Sequence, residues 1–376
     1  MKNRAAAFFE GDTSWTIIDT DLREPRAGEV LVKVAAADLC HSDYHTITGD
    51  LPVAPIERPP GTPLLIGGHE GAGVVVEVGP EVHSVERGDH VVMSFIPSCG
   101  RCRACVSGMQ MPCDMGGNIQ KPDQMAANAA HRFKGEPVVS FGLGTFSEHV
   151  LATENGIVKI EKDIPLESAT LCGCGVLTGW GSAVYRAQVK PGDVVAVVGC
   201  GGIGSAAVQG ARIAGARFIV AIDPVAFKLE EAMRFGATHV VEDLEAALPI
   251  VQDISWGQMA DAVIMTPSVL YGDLIQPAME LVRKGGVCVA TAVAPAAQHE
   301  ITLDLLPFTL SNKTLAGCLY GQCNPRADIP RVLHLYRTGQ IKLDEMVTAR
   351  YGLDNINAGY DDLLSGNNIR GLIVFD

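Results

Sequence analysis

Four cysteines, Cys99, Cys102, Cys105 and Cys113, stand within SCGRCRACVSGMQMPC at residues 98–113, with the spacing C-x2-C-x2-C-x7-C. Thiols this close can form disulfides, cycle as a redox couple or hold a metal. The N-terminus, MKNRAAAFFEGDTSW, offers only the apolar run at residues 5–9, too short for the core of a secretory signal. A cytoplasmic chain with reduced thiols is therefore expected, and disulfides are disfavoured. A closed tetrahedral zinc site is the common use of four clustered thiolates. An iron–sulfur cluster or a redox switch stays open, although the ferredoxin-like C-x3-C-P step is absent after Cys105. A closed site leaves no coordination position free, so its expected task is to brace an irregular lobe.

A second stretch, VVAVVGCGGIGSAAVQGARIAGARFIVAID at residues 194–223, points to phosphate binding. A β-branched run gives way to Gly199, Gly201, Gly202 and Gly204, and then to small apolar residues at helical spacing, which predicts strand, tight turn and helix. A second strand at 218–222 ends at Asp223, nineteen residues after Gly204. Glycines let a pyrophosphate approach the backbone, and the helix N-terminus offers unpaired N–H groups. An acid at this offset bonds the ribose hydroxyls and repels a 2′-phosphate, which favours NAD over NADP. Lys228 could soften that preference, or be a solvated helix lysine.

The third set is scattered: LCHSDYH carries Cys40, His41, Ser42, Asp43 and His45, GGHEGAG carries His69 and Glu70, and CGCGVLTGWGSA carries Cys172, Cys174 and Thr178. Spacing alone does not join these stretches. Their order, together with the four-cysteine lobe and the later glycine turn, resembles the zinc-dependent medium-chain alcohol dehydrogenases over essentially the whole chain. The stretches GDHVVMSFIPSCGRCRACVSGMQMPCDMG, DPVAFK and GQCNPRADIPRVLHLY further resemble the nicotinoprotein branch, which is assayed with nitrosodimethylaniline as an artificial acceptor and often linked to the redox carrier mycofactocin.

The resemblance implies two zinc ions per chain and NAD(H). Cys40, His69 and Cys174 would hold a catalytic zinc, the Cys2His set of alcohol dehydrogenases, and Cys99, Cys102, Cys105 and Cys113 a structural one. Ser42 would pass the alcohol proton by way of the nicotinamide ribose to His45. Asp43 would orient His69, Glu70 would lie beside the metal, Thr178 would pack near the nicotinamide, and Arg370 would meet the pyrophosphate. His41 stands where many relatives carry an arginine against that pyrophosphate, and an imidazole binds phosphate less strongly than a guanidinium.

The elements that must position these groups follow from pattern. Short, Gly- and Pro-rich strands up to residue 174 suit a partly open β-barrel, GroES-like by resemblance, that carries the metal sites. Alternating strands and helices over 175–317, including a helix over 273–285 and a strand over 286–293, predict a doubly wound parallel sheet, a Rossmann domain in an α/β protein. The tail 318–376 is expected to return to the first domain, with the active site in the cleft between them. Residues 114–147 have little periodicity and could border a substrate channel or form a surface excursion.

A formal net charge of −14 argues against nucleic acid or an anionic membrane as partner. The longest apolar run, 194–211, is interrupted by glycines, Ser205 and Gln209, unlike a spanning helix. The expected substrate is a small alcohol or aldehyde, with an external redox acceptor such as mycofactocin as a further partner and a homodimer or homotetramer as the assembly. Glutathione-dependent formaldehyde oxidation, ordinary exchange of NAD, and a non-catalytic descendant of the fold are the alternatives.

Overall fold

The run Val194–Val198 forms a strand buried along its whole length, as expected where both faces of a sheet are covered. In the computed structural model, which describes residues 1–53, 57–119 and 127–376, it lies inside a six-stranded parallel sheet. The spatial order is His239–Val241, Phe218–Ile222, Val194–Val198, Ala260–Met265, Val282–Ala290 and Thr314–Gly317. By chain position within the sheet this is 3-2-1-4-5-6, the doubly wound order of dinucleotide-binding folds. Val220, Val263, Met265, Ile275 and Met279 are among the residues of its apolar core.

One boundary differs from expectation. The helix expected over 273–285 is confined to Ile275–Leu281, and the next strand begins at Val282. Its pairing with Ala260–Met265 jumps from Val282 to Val287, and Gly285, at φ +69°, takes a left-handed conformation that glycine adopts at little cost. A bulge, invisible to helical periodicity, absorbs the residues between.

This sheet belongs to one of two units, Gly175–Cys323 with Gln340–Lys342. The other comprises Met1–Cys174, Asn324–Gly339 and Leu343–Asp376, so the chain re-enters it at Asn324, beyond the expected Cys318. The residues between make a turn at Tyr320–Gln322, and a Cβ on Gly321 would strike the backbone of Leu177, which ties the turn to the helix Gly175–Gly181 of the same unit.

In the first unit the long strand Glu29–Asp38 is the organiser. Glu70–Val78 pairs antiparallel along one edge, while His149–Thr153 and Arg370–Val374 share the other. With Ile157–Ile160, His90–Ser94 and Val347–Tyr351 they form a curled seven-stranded sheet. A second sheet runs Leu65–Ile66, Lys2–Phe8, Thr16–Leu22, His131–Phe133 and Glu136–Val138. Trp15, Phe146 and Tyr360 pack together in the core of this unit, with Trp15 edge-on to Phe146 at a centroid distance of 5.6 Å. Among the described residues, no helix is long and apolar enough to cross a membrane. Part of the expected channel border, 120–126, lies outside the described residues.

Candidate active site

Strand register brings Cys40 and His69 together. Ala37 sits opposite Gly71, so Cys40, just past the end of one strand, and His69, just before the start of the other, emerge at the same end of the pair. Cys40 then begins the helix His41–Thr48 as its N-cap residue. Gly68 holds φ +93°, and a Cβ there would meet the Phe146 backbone at 2.5 Å. Only glycine fits this turn, which lets the Gly68 N–H donate to Asp43 Oδ1 at 2.7 Å. The other oxygen, Asp43 Oδ2, faces His69 Nδ1 at 3.0 Å. His69 therefore presents Nε2 towards Cys40 and Glu70.

Cys40, His69 and Glu70 each offer a ligand atom, and these atoms all lie within 4.8 Å of one another. Cys174, at the end of the short turn Leu171–Gly173, joins them through a hydrogen bond between its thiol and that of Cys40. A Cβ on Gly173 would meet Met93 O at 3.0 Å and Glu70 Cα at 3.3 Å, so this approach needs a residue without a side chain. The Cys40 thiol also reaches Ser42 Oγ at 3.6 Å. All these ligand residues are buried.

The electrostatics reveal a site built for a cation. The bond from Cys174 holds the Cys40 thiol well below its usual range, and the same bond, with burial, pushes Cys174 well above it, so the pair shares one proton. Burial opposes charge on His69, but Asp43 and Cys40 outweigh it and raise its pKa. Protons thus gather where a divalent ion would otherwise balance thiolates and carboxylates, and two thiols with an imidazole suit zinc.

Beneath this set lies a group that spacing did not reveal. Asp38, at the end of its strand and fully buried, faces Arg370 Nη1 at 3.2 Å, and the same nitrogen lies 3.6 Å from Glu70 Oε1. Burial raises the Asp38 carboxyl to about 7 against the opposing pull of Arg370, and burial likewise lifts Glu70 well above the carboxylate range. Burial works against charge on Arg370, yet Asp38 and Glu70 keep it protonated. Arg370, which the resemblance sets against a pyrophosphate, is here the counter-charge of two buried acids. Phe95 and Phe141, which belong to no motif, stand edge-on to His69 at 5.2 and 5.3 Å. Their only sequence signal is an aromatic residue in each of two Gly-, Ser- or Pro-flanked loops.

On the helix His41–Thr48, His45 is buried and its Nδ1 lies 3.2 Å from Asp50 Oδ2. His41 is half-buried, with its ring 6.3 Å from that of His45.

In the four-cysteine lobe the sulfurs also lie within 4.8 Å of one another, with Cys99–Cys105 at 3.9 Å and Cys102–Cys113 at 4.0 Å. Four sulfurs about 2.3 Å from a central zinc would be spaced about 3.8 Å apart, so the cage has the right size. Backbone N–H groups of Cys102 and Cys105 point at the sulfurs of Cys99 and Cys102 at 3.3 and 3.5 Å. Backbone hydrogen bonds, that from Arg101 foremost, bring Cys99 down to about 6, whereas burial pushes Cys105 up to about 11.

In the second unit the expected succession of strand, glycine turn and helix is formed. Gly199 takes φ +87°, Gly201 caps the helix Gly202–Ile213, and a Cβ on Gly204 would collide with the Gly199 carbonyl. A Cβ on Gly201, by contrast, would point into open space, the room a pyrophosphate needs at a helix N-terminus. Asp223 accepts from Cys200 N at 2.7 Å and Val225 N at 2.9 Å, which holds the carboxylate at the strand end with lone pairs left for ribose hydroxyls. Lys228 is near enough to favour negative charge at Cys200. Thr178 is buried in the helix Gly175–Gly181.

Residues 26–162 match the family model of the alcohol dehydrogenase GroES-like domain, and residues 202–338 that of the zinc-binding dehydrogenases. Over its full length the chain is 45% identical to an NDMA-dependent alcohol dehydrogenase of Amycolatopsis methanolica, covering 99% of that protein. This chain belongs to the zinc-dependent medium-chain alcohol dehydrogenases. Alcohol dehydrogenase B of Mycobacterium tuberculosis is 44% identical, again over 100% of this chain and 99% of the relative. The crystal structure of benzyl alcohol dehydrogenase from Acinetobacter calcoaceticus superposes with a TM-score of 0.89 at 28% identity, covering 100% of both chains. The dehydrogenase thus joins a GroES-like unit to a Rossmann unit and uses zinc and an NAD-type cofactor to oxidise an alcohol.

Proposed function

We propose that this dehydrogenase oxidises an apolar alcohol and keeps its NAD(H) bound from one turnover to the next, with an external acceptor such as mycofactocin restoring the oxidised form. The observation that carries this reading is the full-length likeness to a relative whose name states NDMA dependence. The NAD preference follows from Asp223, held ready by two backbone N–H groups.

A zinc held by Cys40, His69 and Cys174 supplies the Lewis acid, NAD the hydride acceptor, and a second zinc in the four-cysteine lobe a brace. Ser42 takes the hydroxyl proton of the substrate, and His45 receives it for release. Asp43 fixes the His69 ring, and Arg370 keeps Asp38 and Glu70 from loading the site with uncompensated negative charge. Phe95 and Phe141 exclude water beside His69 and favour an apolar substrate carbon. A cytoplasmic location agrees with reduced thiols.

A second copy of the chain is the expected partner. Leu305, Leu306 and Leu310 are 69%, 71% and 77% exposed on the helix Leu305–Leu310, which precedes the edge strand Thr314–Gly317 in the chain. Pairing across this face would bury the leucines and satisfy the edge. Leu310→Asp should then shift the mass in solution towards one chain, and an unchanged mass would remove this face from the assembly.

Exhaustive dialysis followed by denaturation and chromatography tests the cofactor reading. Close to one NAD(H) per chain is expected. An empty protein that reduces added NAD would mark an ordinary, cofactor-exchanging dehydrogenase.

A further inference from the structure

His45 sits little more than one turn from the metal end of a short helix, and that helix stops sharply. Gly49 takes φ +80°, ψ 3° as the residue after Thr48, a conformation that favours glycine. The reversal lets the Leu51 N–H donate to the His45 carbonyl at 2.9 Å and folds the Asp50 side chain back over the helix it follows. Asp50 Oδ2 then lies 3.2 Å from His45 Nδ1 and accepts from Thr48 Oγ1 at 2.7 Å. Three residues, Thr48, Gly49 and Asp50, thus fix one ring from the far side.

The burial of the two groups differs. The His45 side chain is 3% exposed, that of Asp50 25%. The hydrogen bond from Thr48 holds the Asp50 carboxyl below its usual range, so it is an anion at neutral pH. A carboxylate can only accept, so a neutral ring that bonds it does so with the hydrogen on Nδ1 and the lone pair on Nε2.

We propose that Asp50 is a positioning residue for proton release, selecting the His45 tautomer whose Nε2 can take up the outgoing proton and stabilising the imidazolium that results. This rests on the reading that His45 receives the proton of the alcohol. In the step, Nε2 gains the proton passed on from Ser42, the Nδ1–H bond to Asp50 is kept, and the ring returns to neutral by giving one proton to water. No electrons move in this part of the cycle. The nearby His41 ring, at 6.3 Å, would repel the imidazolium if it were itself charged, which makes the Asp50 anion more necessary.

The test uses the zinc- and nucleotide-loaded enzyme labelled with 15N-histidine, the His45 signals being assigned by their loss in His45→Gln. In the native protein the neutral ring should carry its proton on Nδ1. In Asp50→Ala the Nε2-protonated form should appear, with kcat for a simple alcohol down about tenfold to a hundredfold and KM little changed. Asp50→Glu should restore both in part, and Asp50→Asn, which keeps an acceptor without the charge, should fall between. A His45 tautomer unchanged in Asp50→Ala would overturn the proposal. So would a changed tautomer with native kcat in Asp50→Ala while His45→Gln is impaired. If His45→Gln itself keeps native kcat, the proton-release reading of His45 fails and the role of Asp50 goes with it, even where the tautomer follows Asp50.

Discussion

The first unit carries two cysteine-rich groups that differ in almost every physical respect. In the lobe, four sulfurs come from one stretch of sixteen residues, two of the cysteines are part-exposed, and the nearest donors are the lobe's own backbone N–H groups. In the other group the residues are far apart in sequence, all are buried, and the neighbours are charged side chains: Asp38, Asp43, Glu70 and Arg370. A closed shell of thiolates needs only local chain geometry. A reactive centre needs an open position and a tuned field, and both must be assembled from distant strands. The contrast supports the proposal that the first group braces the fold and the second carries the chemistry.

Replacing a ligand in each group should therefore give opposite signatures. Cys174→Ala should cut kcat/KM by at least about a thousandfold, because the Lewis acid contributes several kcal/mol to the transition state, with circular dichroism unchanged. Equal loss of fold and activity would erase the distinction. Cys105→Ser should instead lower the zinc content by one and destabilise the protein by several kcal/mol, read as an earlier denaturation midpoint. Its folded fraction should retain turnover.

Acid will strip metal from both groups, so a third residue is needed to separate metal loss from unfolding. His131, buried in the five-stranded sheet beside Thr20 Oγ1 at 3.1 Å, is pushed by burial down to about 4. Its stabilising contribution is complete above its unfolded value of about 6.5 and is lost as pH falls from there towards 4, up to about 3 kcal/mol. His131→Gln should flatten the dependence of stability on pH across that window. An equally steep loss in the variant would locate the acid sensitivity at the metal groups. The smallest effect is expected from Asp43→Asn, which leaves the ligands in place and loosens His69. Zinc affinity should fall about 10- to 100-fold, measured by competition with a chelator, while the four-cysteine lobe keeps its metal.

The same contrast explains what could be read in advance. The lobe and the Gly199–Gly204 turn announce themselves because their function depends on spacing within a few residues. Cys40, His69 and Cys174 could be joined only through a family resemblance, since what unites them is the pairing of Ala37 with Gly71 and the close approach of Gly173. Asp38, Asp50, Phe95 and Phe141 went unmarked because an acid at a strand end or an aromatic in a loop acquires meaning only through burial and register. The early start of the strand at Val282 was missed for a related reason: helical periodicity extends across Val282 and Arg283 until a glycine-containing bulge overrides it.

Arg370 opens the final strand, Arg370–Val374, which closes against Ala36–Asp38 through the pairs Leu372–Asp38 and Val374–Ala36. The counter-charge beneath the metal group is thus synthesised long after Cys40. Until that strand is made, Asp38 and Glu70 lack their guanidinium and Glu29–Asp38 lacks part of its edge. The charge balance of this centre therefore waits for Arg370, while the four-cysteine lobe has all its sulfurs once Cys113 has emerged.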